Sequence, residues 1–97
     1  MKNIKFFIIE DTEFIGQVRL NITENIARIS IRLLKEYQHK GIAYQALTKI
    51  IAENNYQYLA EVEKDNLPSV KLFERLDFIR RKEKTDKNYF EFEYVKK

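Results

Sequence analysis

Residues 38–43, QHKGIA, decide how this chain is read, because one of its two glycines and its only histidine fall inside six positions. Upstream, Ala27, Ile29, Ile31 and Leu33 alternate with Arg28, Ser30 and Arg32, the period-two pattern of a strand with one apolar face. Downstream, Ile42, Ala46, Leu47, Ile50 and Ile51 recur at helical spacing, and Asn54-Asn55 offers a stop. Gly41 therefore sits at a strand-to-helix junction, where the N–H groups of a helix's first turn have no partner within the helix. A glycine there lets the backbone pass close to a phosphate and take dihedrals that a side chain resists. Ala43 keeps the entrance small, and the helix dipole adds roughly half a positive charge. The plain alternatives are an ordinary loop glycine before a helix and, for His39, a solvated loop side chain.

The same periods organise the rest. Ile4 to Glu10 is apolar and β-prone, and Asp11-Thr12-Glu13 interrupts it as a turn. Phe14, Gly16, Val18, Leu20 and Ile22 then alternate with Ile15, Gln17, Arg19 and Asn21, and Thr23-Glu24-Asn25 turns the chain into the Ala27–Leu33 strand. Tyr58 to Glu63 returns to strand character. A second helix starts near Pro68, which suits a first turn because its missing N–H would be unpaired there, and Leu72, Phe73 and Leu76 form its apolar stripe. Two last strands follow, about 78–84 and 89–96, joined across Thr85-Asp86-Lys87-Asn88. The order is βββαβαββ: an α+β fold in which a mixed, mostly antiparallel sheet carries helices between its later strands.

Composition sets limits on function. At 97 residues, with 44% hydrophobic and 34% charged residues, the chain reads as one domain spanning 1–97, with enough apolar mass for a core. No cysteine is present, so disulfides and thiolate zinc are unavailable, and no metal site is expected. A cytoplasmic setting follows as the expectation. The N-terminal apolar run, FFII, falls far below the ~20 residues of a membrane span, so no membrane partner is expected. A net charge of +3, with the signs interleaved except near the ends, is a mild excess that suits a phosphorylated ligand, an acidic partner or plain solubility, and no arginine-rich arm supports a nucleic-acid partner.

QHKGIA also matches an Arg/Gln-x-x-Gly-x-Gly/Ala signature, and residues 60–78, AEVEKDNLPSVKLFERLDF, match a second motif in which a strand ends, an Asn opens a helix, and the helix closes on a Leu-Gly-Phe-like corner. With GQVRLNI at 16–22, the chain resembles the GNAT acyl-CoA-dependent N-acetyltransferases over about residues 14–95. The resemblance implies acetyl-CoA as cosubstrate, lying where two parallel strands, 26–34 and 58–63, splay apart. It implies that the backbone of Gln38, His39, Lys40, Gly41, Ile42 and Ala43 takes the pyrophosphate, with His39 and Lys40 adding positive charge. Leu33 and Lys35 would offer main-chain groups to the pantetheine arm, Asn66 would touch the same arm, and backbone near Leu33 would polarise the thioester carbonyl. The implied reaction is direct acetyl transfer to a primary amine of a small-molecule acceptor, first of all an amino group on a nucleotide-linked sugar. Ribosomal-protein N-terminal amines and polyamines remain alternatives, with Glu61, Glu63 or Glu24 as base; Glu61 is named.

Three departures qualify that picture. The family usually places a proton-donating Tyr where this chain has Phe73, which still lies along the cofactor but cannot protonate a departing thiolate; Tyr37 and Tyr44 are the nearest hydroxyls in sequence. Asp77 replaces the usual Gly at the helix-to-strand corner, a mild change because Asp tolerates left-handed backbone. The strand and two helices with which family members begin are also not expected here. One sheet face would then be bare, polar through Gln17, Arg19, Arg28, Ser30 and Arg32, and either simply solvated or the floor of an acceptor site with Arg19 and Arg32 facing an anion. The rival expectation is a catalytically degenerate acyl-CoA-binding remnant or interaction module, and a homodimer covering the bare face stays open.

Overall fold

The structure is a computed structural model that describes residues 2–81 and 88–94. Three strands come first, β1 (Lys2–Asp11), β2 (Glu13–Thr23) and β3 (Ile26–Leu33). After a single 3-10 turn at Lys35–Tyr37 follow α1 (Ile42–Glu53), β4 (Gln57–Glu63), α2 (Leu67–Arg75), β5 (Ile79–Arg80) and β6 (Tyr89–Tyr94). This is the expected βββαβαββ order, and the strands form one six-stranded sheet, β1-β2-β3-β4-β6-β5. The β3–β4 pair is parallel and the other pairs are antiparallel, so the expected mixed, mostly antiparallel sheet is observed. The expected strand ends beyond Arg81 and Tyr94, and the Thr85-Asp86-Lys87 connection, lie outside the described residues.

Register follows from the apolar pattern, because a slip of one residue would turn every side chain to the other face. Val18 stands opposite Ile31 and Phe7, Ala27 opposite Ile22 and Tyr58, and Ala60 opposite Phe92. These residues make one face, and on it pack Leu47, Ile50 and Ile51 of α1 and Val70 and Phe73 of α2, in one continuous buried cluster. At Gly16 the sheet admits no side chain: a Cβ there would lie 2.3 Å from the Arg32 carbonyl oxygen.

The helix ends are set by local chemistry. The Asn66 side chain caps α2, accepting from the Ser69 N–H at 3.3 Å, and Pro68 lies in the first turn. At the other end, Asp77 adopts φ 68°, its N–H donates to the Glu74 carbonyl, and the Phe78 N–H reaches back to Phe73. That is a Schellman closure, sealed by the Phe73 and Phe78 rings at 5.1 Å, so the expected left-handed Asp77 is observed. Asn54 stops α1, with its N–H and Nδ2 both donating to the Ile50 carbonyl.

The opposite face carries no helix among the described residues. Its middle is polar as expected, with Gln17 beside Arg32 and Arg19 beside Ser30. Its outer strand corrects the expectation of a polar face, because Ile4, Phe6 and Ile8 of β1 lie on it, each more than half exposed.

Candidate functional site

The parallel pair opens quickly. β3 and β4 are in register only at Ile26–Gln57, Ala27–Tyr58 and Arg28–Leu59, and beyond these positions they part. From this splay a cleft of about 750 Å³ runs between the end of β3, the 38–44 segment and the first turns of α2. Strands 26–34 and 58–63 therefore diverge where the family resemblance implied a ligand.

Gly41 is the N-cap of α1, with φ 78° and ψ 3°, the left-handed region that favours glycine. A Cβ built there meets nothing within 4 Å, so the space in front of this backbone is open. No side chain caps α1, and its first turn holds no acidic residue. The contrast with α2, which Asn66 caps, is informative: the N–H groups at the start of α1 are left for an external acceptor. The residues lining the cleft include Arg32, His39, Lys71 and Arg75, and no carboxylate is among them. Field and donors both suit an anion.

Most expected site residues meet at this cleft. Leu33, Gln38, His39, Gly41, Ile42, Ala43 and Asn66 all line it. Gln38 has a specific task, since its Nε2 donates to the Leu33 carbonyl at 3.2 Å and ties the end of β3 to the loop. That contact engages one of the Leu33 main-chain groups expected to face the pantetheine arm, and Asn66 likewise spends its side-chain oxygen on capping α2.

Four residues fall elsewhere. Lys35 is exposed on the 3-10 turn, and Lys40 holds its ammonium 5.9 Å from the Tyr37 ring centroid, so neither lines the cleft. Glu61 is exposed on the helix-free face, opposite Glu91 of β6, where alternation along β4 directs it. Phe73, expected along the cofactor, is 4% exposed and packs on Phe78 and Phe92, because the buried stripe of α2 turns it into the core.

The two hydroxyls closest in sequence also separate. Tyr37 donates to Glu13, and that bond, ahead of desolvation and the neighbouring carboxylates, raises its pKa. Tyr44 lines the cleft with the Arg75 guanidinium 4.4 Å from its ring centroid. The sequence reading missed Lys71 and Arg75, although their i, i+4 spacing on α2 was a usable signal. Among the described residues no cluster of three or more His, Asp or Glu is placed to hold a metal, and no helix is long and apolar enough to cross a membrane.

Fold and cleft together place an uncapped, glycine-led helix start and several basic side chains beside the splay of two parallel strands. The acetyltransferase (GNAT) family model matches residues 2–78, and the chain belongs to that family. No curated protein matches it by sequence. Among solved structures it is similar to a spermidine N-acetyltransferase chimera from Vibrio cholerae SpeG and hSSAT, with TM-score 0.80, 21% identity, and 95% of this chain covering 66% of that one. It is also similar to the Campylobacter jejuni N-acetyltransferase PseH in complex with acetyl coenzyme A, with TM-score 0.80, 22% identity, and coverage of 97% and 69%. A third is the self-immunity acetyltransferase MccE with acetyl-CoA and AMP, with TM-score 0.84, 22% identity, and coverage of 96% and 61%. The chain thus spans about two thirds of the length of these structures.

Proposed function

We propose that this protein is an N-acetyltransferase that moves acetyl from acetyl-CoA to the primary amine of a small molecule by direct attack. The observation that carries the reading is the uncapped, glycine-led start of α1 facing a cleft lined by Arg32, Lys71 and Arg75 and by no carboxylate. Backbone N–H groups of 41–44 take the pyrophosphate, and Lys71 and Arg75 supply charge from the other wall. The pantetheine arm runs along the end of β3 at Leu33, between strands that no longer pair. The acceptor approaches over the helix-free face, where Arg19 and Arg32 suit an anionic carrier such as a nucleotide-linked amino sugar. Two of the structural neighbours act on or hold ligands of these kinds by name: spermidine in one, acetyl-CoA in the other. With Phe73 in the core, the leaving thiolate takes its proton from water or from Tyr44, whose ring borders the cleft.

Calorimetric titration with CoA tests the site. Gly41→Glu places a carboxylate where phosphate belongs, and an expected loss of at least about tenfold corresponds to ~1.4 kcal/mol. Gly41→Asn, which tolerates the same left-handed backbone, separates repulsion from strain and should keep most of the affinity. Unchanged affinity in Gly41→Glu removes the assignment. Turnover is read separately, as thiol released from acetyl-CoA with a panel of amines that includes amino sugars and polyamines. Thermal stabilisation by acetyl-CoA without thiol release would leave a binding protein rather than an enzyme.

A further inference from the structure

The segment that leads from β3 into α1 is held by polar ties rather than by burial. No residue of the Lys35–Tyr37 turn is buried, and Gln38 to Gly41 are exposed. Two of these residues nevertheless hold left-handed backbone, His39 at φ 64° and Gly41 at φ 78°. Glycine takes that region freely, but an L side chain such as that of His39 resists it. Backbone of this kind persists only where its surroundings over-determine it.

The ties run to the start of β2. The Leu34 N–H donates to the Ile15 carbonyl at 2.9 Å, which carries the β2–β3 ladder one residue past the Gly16–Leu33 pair. Gly16 permits that approach, since any Cβ there would meet the Arg32 carbonyl and the Leu33 side chain. Three residues further on, the Tyr37 hydroxyl donates to the Glu13 carboxylate, a contact across 24 positions of sequence. The Lys40 ammonium lies 5.9 Å from the centroid of the same Tyr37 ring, so the residue between His39 and Gly41 folds back onto a side chain that is itself anchored. The pKa of Tyr37 is raised, first of all by the bond to Glu13, in keeping with a hydroxyl that holds its proton for that carboxylate.

We propose that the Tyr37–Glu13 bond positions residues 38–41 for their anion, which makes Tyr37 a positioning residue of the cleft although it does not line it. The inference rests on the reading of that cleft as the pyrophosphate site. Glu13 opens β2 and is paired across the hairpin with Asp11, so the sheet fixes it. Tyr37 directly precedes Gln38, and where its ring is anchored the next four residues have little freedom left before α1 begins. With the bond made, the His39 and Gly41 dihedrals are set before a ligand arrives, and binding has no loop to order. With the bond broken, only a fraction of molecules presents the start of α1 correctly, and the apparent affinity falls by that fraction.

Tyr37→Phe keeps the ring and its contact with Lys40 and removes only the hydroxyl. Glu13→Ala and Glu13→Gln remove the same charge, but the glutamine keeps an oxygen that accepts the same bond, so their difference isolates the bond. Calorimetric titration with CoA should show affinity lowered about two- to fivefold in Tyr37→Phe and in Glu13→Ala, and close to the parent's in Glu13→Gln. The double variant Tyr37→Phe with Glu13→Ala should be no weaker than either single one. Amide exchange in the ligand-free proteins gives a reading that needs no CoA: the Gln38 and Gln45 N–H groups, which donate to the Lys35 and Gly41 carbonyls, should exchange faster in the two weakened variants while those of β4 stay unchanged. A parent that binds CoA and a Tyr37→Phe variant that binds it equally well would overturn the tether and leave the site assignment standing, whereas a parent that does not bind CoA overturns both. Equal losses in Glu13→Gln and Glu13→Ala, additive losses in the double variant, or faster exchange throughout the sheet would assign the effect to charge or to general loosening and overturn the proposal as well.

Discussion

Tyr58 offers the sharpest check on the packing that holds the cleft. Its side chain is fully buried, with the rings of Tyr56 and Tyr94 edge-on at 6.0 and 6.4 Å. No group among the described residues makes a well-formed hydrogen bond to the hydroxyl, although the Tyr56 backbone lies close enough to favour the ionised form and oppose part of the rise described next. Burial, followed by the neighbouring Tyr56, pushes its pKa up from 10.0 to about 12. Tyr58→Phe removes that oxygen and keeps the ring. An unpartnered buried hydroxyl costs about 1–3 kcal/mol of desolvation, so the variant should be at least as stable as the parent near neutral pH, by up to ~1 kcal/mol. The alkaline limb is more telling. A folded-state pKa above the unfolded one gives stability that is complete below pH 10 and lost as pH rises from 10 towards 12. At 1.36 kcal/mol per unit, the loss from this group alone approaches roughly 2–3 kcal/mol. Urea unfolding of both proteins at pH 8 and pH 11, followed by circular dichroism, isolates the effect, because the other tyrosines and the lysines titrate equally in both. The stability gap should widen in favour of Tyr58→Phe at pH 11. A variant less stable by more than about 1 kcal/mol at pH 8, or a gap that does not change with pH, would refute the reasoning.

Asp77→Gly should raise the thermal midpoint, since a left-handed Cβ costs roughly 1–2 kcal/mol, partly offset by glycine's unfolded-state entropy; a lower midpoint would mean that the carboxylate makes a contact of its own. Phe73→Ala should cost about 3–5 kcal/mol as a core truncation, and a loss below 1 kcal/mol would put the ring in the cleft instead. Arg75→Glu, measured by calorimetry, should weaken CoA binding by about tenfold or more at low salt and less at high salt, whereas a salt-independent effect would point to lost packing on Tyr44 rather than lost charge.

Two motifs of the sequence carried much of this protein. The alternation at 14–22 and 27–33 reported a sheet with one apolar face, and Gly41 between that strand and a helical repeat marked the uncapped start of α1. Asp77 was legible too, because a helix closing on Leu-Asp-Phe needs a left-handed residue there. Other features were not. Phe73 sits on the apolar stripe of α2 in any reading, yet whether that stripe faces the cleft or the core depends on where β6 brings Phe92. Ile15 lies on the polar side of β2 but is 7% exposed at the end of the sheet where the Leu34 N–H donates to its carbonyl. Lys71 and Arg75 became cleft residues only when α2 came to stand across from the 38–44 segment.

Periodicity therefore determined the elements, their order and the two sides of each, because backbone geometry repeats at 2 and 3.6 residues wherever the chain goes. Tertiary structure decided what each side meets: that β3 and β4 part after three residue pairs, that the cleft gathers cations from α2, and that Ile4, Phe6 and Ile8 are exposed among the described residues. The reason is physical. A side chain's direction is set by its own backbone, but its environment is set by segments distant in sequence, which no local pattern encodes.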